Sequence, residues 1–353
     1  MKKLLAIMSA AILLLSLSAC GSSNVPESAS PGSASPDTEP PASETGYSGQ
    51  TYTLQLGHVG AEGSIEETVA ERFADLVSEK SGGKIQVTIY GNSQMGGLSD
   101  LVDAVRYNTI DFAIFAMGNA ESYFPKATIM GLPYLFKDYA QVESFYESDT
   151  YADLCDDFAS ETNIRELGSF HTGFRDILSN VKIENADDMK GLAIRVPEAP
   201  MFVKTFGALG CNTVTLSAAD VYQALKTGLV EATEAAPSYM VSMNYHEVAK
   251  YCILTNHIYT GNSIFAPQDK LDQMDPAAVE IIKAAAEQAT HEAWSIVSDE
   301  TDKALSTMED AGVEMVTPDL ESFKGIMTDI WAELFTDSVD GGKDLIDAVL
   351  ACA

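Results

Sequence analysis

An alternation of strand-like and helix-like segments begins twice in this chain, near residue 52 and again near residue 192, and it constrains the fold more than any other feature. Tyr52, Leu54 and Leu56 alternate with polar residues up to Gly57-His58, the period of a half-buried strand. Ser64 and Glu67 have capping-box spacing ahead of a helical stripe of Ile65, Val69, Phe73 and Leu76, which Gly82-Gly83 stops. Ile85, Val87 and Ile89 predict a second strand. A helix with Leu101, Val102 and Val105 follows the Gly96-Gly97 turn, and Ile110 to Met117 reads as a buried strand. Strand–helix–strand order implies a parallel sheet, because parallel neighbours need a crossover between them.

The second series predicts a strand from Leu192 to Val196, a helix over 198–209, and a strand from Thr213 to Leu216. A helix over 217–228 follows, with Ser217 and Asp220 at its cap, then a short strand from Val230 to Glu234 and a helical stretch to about 245. Together the two series predict two α/β units, not one long sheet. Asp275-Pro276 then sets an N-cap and a first-turn proline for a helix reaching about Ala311. At about 1.5 Å per residue such a helix runs on the order of 50 Å, enough to lie across both units.

The N-terminus carries an export signal. Lys2 and Lys3 precede an apolar run from Leu4 to Leu15, which is too short for a bilayer-spanning helix of about 20 residues. It ends in Leu17-Ser18-Ala19-Cys20-Gly21, which resembles a lipobox and makes Cys20 the expected lipid anchor. Residues 21–50 hold eight Ser, five Pro and four Gly with no Lys or Arg, the composition of an extended tether. The expected site of action is therefore the outer face of the cytoplasmic membrane.

Over the 353 residues, 52 Asp+Glu against 21 Lys+Arg give a net charge of −31, which argues against a nucleic-acid partner. Cys155, Cys211, Cys252 and Cys352 show no C-x-x-C spacing, so paired and free thiols both stay open. Phosphate-loop, dinucleotide-loop, zinc-helix and nucleophile-elbow motifs are absent, and no metal or cofactor is expected. By chemistry alone His171 and His246 read as ordinary, partly buried histidines. Arg195, inside Leu-Ala-Ile-Arg-Val-Pro, and Arg175, closing Phe-His-Thr-Gly-Phe-Arg, lie in strand-like context. A buried guanidinium needs a partner and suits a carboxylate, and a structural salt bridge is the simplest reading of each.

An ordered series of segments resembles the solute-binding subunit of tripartite ATP-independent periplasmic (TRAP) transporters. It includes Ala74 to Val87, Gly91 to Phe112, Leu132 to Phe136, Gly173 to Arg175, Asp188 to Pro197, Phe206 to Thr215, Val221 to Glu234, His246 to His257 and Ala311 to Phe323. The resemblance implies a two-lobed, type II periplasmic-binding-protein α/β fold with a ligand cleft between the lobes and a long helix spanning both. The implied lobes are 51–172 plus 261–300, and 173–260 plus 301–353. It also implies a non-enzymatic, monomeric protein that binds a small organic acid and hands it to a small and a large permease subunit. Arg195 matches the family arginine that pairs with the ligand carboxylate, and Arg175 a second position holding the same group. The candidate binding set is Arg195, Arg175, Glu234, Ala235, His171, His58 and Tyr239. The run Thr233-Glu234-Ala235-Ala236 departs from the family pattern, with Ala235 where an asparagine is common. A binding lipoprotein of an ABC importer is the alternative. A secreted α/β hydrolase is a third reading, without a catalytic motif to support it.

Overall fold

A computed structural model describes residues 47–352; Cys20, the signal and nearly all of the tether lie outside the described residues. The first series folds in the expected order: β1 (Tyr52–Gly57), α1 (Ile65–Ser81), β2 (Ile85–Tyr90), α2 (Leu98–Arg106) and β3 (Phe112–Phe115). Strand β1 pairs in parallel with β2 and with β3. The α1 stripe of Ile65, Val69, Phe73 and Leu76 is buried, and Gly82 ends the helix at φ 62°. Half of the expected capping box forms. Ser64 accepts from the Glu67 N–H, but the Ser64 N–H donates to Ala61 and the Glu67 carboxylate lies beside His58.

Two helices follow, α3 (Tyr139–Tyr146) and α4 (Asp149–Thr162), and then the long strand β4 (Ile164–Ser179). The second series comprises β5 (Ala193–Val196), α5 (Pro200–Ala208), β6 (Asn212–Thr215), α6 (Val221–Thr227), β7 (Ala232–Ala235) and α7 (Pro237–Ser242). Strand β5 pairs in parallel with β6 and β7. The helix expected over 217–228 is split into a 3-10 turn at Ala218–Asp220 and α6. Ser217 bonds the Asp220 side chain there instead of capping a backbone N–H. The chain continues through β8 (Tyr251–Pro267), α8 (Gln268–Gln273), α9 (Pro276–Trp294), α10 (Val297–Asp310), β9 (Glu314–Val316), α11 (Leu320–Asp329) and α12 (Gly342–Ala351).

The sheet corrects the expectation of two separate units. Its strands run β2-β1-β3-β8-β4-β7-β5-β6, with β9 beside β8. The 16-residue β4 and 17-residue β8 pair antiparallel along their length and weld the two parallel units into one sheet. Register shifts at Glu166/Gly168, His171/Gly173 and Arg175/Ile177 break the alternation that marks a strand in sequence. Gly173 sits at φ +119°, a conformation that favours glycine.

The helix begun at Asp275 is also corrected. Asp275 accepts from the Ala277 N–H as expected, yet the helix breaks at Ser295-Ile296. There the Ile296 N–H bonds back three residues to Ala293, and the Trp294 indole donates to Ser169 O at 2.7 Å. The first half packs on α1 and β4, the second on α7. A bent pair of helices thus joins the two halves of the fold.

Tyr47 to Gln50, assigned by composition to the tether, belong to the body. Tyr47 is buried among α1 and α9 residues and donates to Gln50 O. Among the described residues no helix is long and apolar enough to cross a membrane.

Candidate functional site

A cavity of about 940 Å³, counting the solvent at its mouth, lies between the two parallel units. Val59, Glu66 and Asn119 of the first series line it, facing Arg195, Phe202 and Tyr239 of the second. Strands β4 and β8 supply Thr172, Arg175, Tyr259, Thr260 and Asn262.

Arg195 reaches this cavity from the middle of β5, where its backbone lies opposite Val214 and Thr233. It is 4% exposed. Its Nε and Nη2 donate to Leu216 O at 3.0 and 2.7 Å, which fixes the plane of the guanidinium. Nη1 has no acceptor, and no carboxylate lies within ion-pair distance of the group, among the described residues. Burial pulls its pKa below the usual arginine value, while Tyr245 and Glu234 pull the other way. A buried cation without a counter-charge is costly, and an anion in the cavity would relieve that cost.

Arg175 is placed differently. Its Nε and Nη2 grip Glu234 at 2.5 and 2.7 Å, Nη2 also reaches Glu234 O, and Nη1 lies 3.3 Å from Thr260 Oγ1. The Phe202 ring stacks against the guanidinium at 5.1 Å. Burial alone would raise the Glu234 carboxyl, but Arg175 and His257 hold it down at about 2. Burial pushes the His257 pKa down, so a neutral ring donates from Nε2 to Glu234 and accepts at Nδ1 from the Thr255 hydroxyl. The salt bridge expected as the simplest reading is therefore found at Arg175, not at Arg195.

The remaining candidates divide. Ala235 and Tyr239 line the cavity, and Ala235 and Ala236 make that stretch of wall apolar. Glu234 stands behind Arg175 and does not line it. His171 is one layer back, bonded to Tyr259 Oη at 2.7 Å and to Glu143 at 3.3 Å. His58 is also off the wall, next to Val59. Its Nε2 is 2.9 Å from Glu67 but out of line for a hydrogen bond, and burial lowers its pKa to about 4.

Glu66, Glu121, Asn119 and Phe202 were not anticipated. Glu66 sits in the first turn of α1, where an acid needs no special explanation, since it complements the helix dipole. Its Oε1 accepts from Asn262 Nδ2 at 3.0 Å. Glu121 accepts from the Met201 N–H at 2.8 Å and the Thr128 hydroxyl at 3.1 Å, tying the segment after β3 to the start of α5. The four cysteines at 155, 211, 252 and 352 are free thiols. Among the described residues no cluster of His, Cys, Asp and Glu could hold a metal ion.

The family model for bacterial extracellular solute-binding proteins, family 7 (DctP), matches residues 56–338. The chain belongs to that family. It is 26% identical over 299 residues to the 2,3-diketo-L-gulonate-binding periplasmic protein YiaO of Escherichia coli, covering 84% of this chain and 91% of that one. It is 26% identical over 291 residues to the C4-dicarboxylate-binding periplasmic protein DctP of Rhodobacter capsulatus, covering 80% and 86%. The crystal structure of a TRAP periplasmic solute-binding protein from Sulfitobacter sp. NAS-14.1, with bound β-D-galacturonate, superposes at a TM-score of 0.80. There the identity is 26%, with 84% of this chain and 98% of that one covered. The architecture is thus the two-lobed periplasmic-binding-protein fold. This TRAP-type, extracytoplasmic protein is a binding component of transport and not an enzyme. An ABC importer is correspondingly disfavoured.

Proposed function

We propose that this protein captures a small organic-acid anion outside the cytoplasmic membrane. It would deliver that anion to a TRAP permease of one small and one large membrane subunit, whose uptake draws on an ion gradient. The observation that carries the reading is Arg195, a buried guanidinium on the cavity wall with no carboxylate partner of its own. The ligand carboxylate completes it, and Arg175, held in place by Glu234, offers Nη1 as a second contact. The relatives described above are named for carboxylate ligands, which supports the same class here.

In this reading, residues 51–172 with 261–300, and 173–260 with 301–353, are the lobes that close on the ligand. Closure follows only from the ligand's higher affinity for the closed form. Cys20 carries the lipid that holds the monomeric protein at the membrane. Surface acidity hardly opposes an anionic ligand, because the Debye length is about 8 Å at physiological salt. The arginines decide recognition.

A thermal-shift screen of organic acids against the purified protein tests the reading. A ligand at about 100-fold excess over Kd adds roughly 2.7 kcal/mol, so a true ligand gives a clear, saturable rise in Tm. A response confined to neutral sugars or peptides contradicts it.

A further inference from the structure

We infer that Glu66 makes this site selective for monocarboxylates whose other end carries hydroxyl groups, against dicarboxylates of the same length. The inference rests on the proposed pairing of Arg195 with the ligand's carboxylate. Four charged side chains line the cavity: Arg175, Arg195, Glu66 and Glu121. The Arg175 fork is taken by Glu234, so Arg175 keeps only Nη1 for the carboxylate that Arg195 holds. Two carboxylates share the same wall, and Lys303 lines only the adjoining opening beyond Glu66, Thr172 and Tyr239. Once one carboxylate takes Arg195 and the Nη1 of Arg175, no further cation of the cavity wall is left for a second ligand carboxylate.

Glu66 and Glu121 differ in what they have left to offer. Glu121 is committed to the Met201 N–H and the Thr128 hydroxyl. Glu66, 4% exposed and on the cavity wall, accepts from the Asn262 amide through Oε1. A ligand hydroxyl can donate to such a carboxylate, whereas a ligand carboxylate beside it is a like charge held close in a site shielded from water. Burial raises the Glu66 carboxyl, while its own backbone N–H, Ser64, Asn262 and Arg175 favour the charged form. Selectivity thus comes from a repulsive element as well as an attractive one.

Matched ligand pairs test this by calorimetry on the whole protein: D-gluconate with D-glucarate, and 4-hydroxybutanoate with succinate. Within each pair a terminal hydroxymethyl replaces a carboxylate and nothing else changes. The hydroxyl member is expected to bind wild type at least about tenfold more tightly. Glu66→Gln, isosteric and uncharged, should narrow that ratio to within about threefold, mainly by improving the dicarboxylate. Equal or tighter binding of the dicarboxylates to wild type overturns the inference, as does an unchanged ratio in a folded Glu66→Gln. Failure of every pair member to bind overturns it too. The wild-type ratios decide even where Glu66→Gln fails to fold. Dicarboxylate binding as tight as its hydroxyl partner's in wild type, and abolished by Arg195→Ala, would sink this inference while leaving the proposed function standing.

Discussion

Arg175 and Glu234 form a two-point fork at 2.5 and 2.7 Å, with the carboxylate fully buried and His257 Nε2 3.3 Å from its Oε2. The pair holds one arginine of the cavity rigidly and leaves the other, Arg195, without an anion.

The fork has a cost when broken. Glu234→Ala leaves Arg175 and His257 without their partner, and removing one member of a buried pair costs about 3–5 kcal/mol. A fall in apo Tm on the order of 10 °C is expected, whereas a change within about 2 °C would mean the pair is not structural. The pH dependence has a definite sign. The folded-state pKa of Glu234, about 2, lies below its ordinary value of 4.5. Its stabilisation is therefore present above about 4.5 and lost as pH falls toward about 2. The Tm gap between wild type and Glu234→Gln should be wide at pH 7 and close across that window. A gap that widens with acid contradicts the assignment.

Glu121 ties the segment after β3 to the Met201 N–H, and both residues line the cavity. Hydrogen bonds to charged groups contribute about 1.5–3 kcal/mol. If the contact belongs to the closed form, Glu121→Ala should weaken ligand binding by roughly tenfold or more, with apo Tm little changed. Calorimetry that finds wild-type affinity would place the contact outside the closing motion.

The N-terminal assignment is tested in cells. Cys20→Ser should move the protein from the membrane fraction to the soluble exported fraction, as the lipid anchor is lost. A wild-type protein that is already soluble without its first twenty residues rules the anchor out.

The parallel units were legible in sequence because each strand and helix has a regular period and an identifiable boundary, as where Ser64 starts α1 and Gly82 stops it. The strands that join them were not. The β4–β8 pairing carries three register shifts: β4 has an extra residue at Leu167 and at Thr172, and β8 has extra residues between Ile253 and Ile258, so a two-residue alternation does not persist. The break at Ser295 is set by Trp294 reaching a carbonyl 125 residues earlier, a contact that no local pattern reports. At the site, Arg195 stood out as a cation amid apolar strand residues. Whether it or Arg175 had an acidic partner depended on β4 lying beside β7, which brings Glu234 to Arg175. Glu66 gave no signal because an acid in a first helical turn is ordinary. Its significance comes from the cavity it faces.

The central claim is that Arg195 awaits a ligand carboxylate. The most direct measurement is ligand affinity and apo Tm on the same Arg195→Ala protein, using the best acid from the thermal-shift screen. Removing one partner of a buried charge pair costs about 2–5 kcal/mol, so affinity should fall by roughly 30- to several-thousand-fold. Apo Tm should hold or rise, because the substitution removes a buried charge that has no counter-ion. Arg195→Lys should recover only part of the affinity, since an ammonium cannot reproduce the fork. A destabilised apo protein whose folded fraction binds the acid normally would contradict the claim and make Arg195 a structural residue.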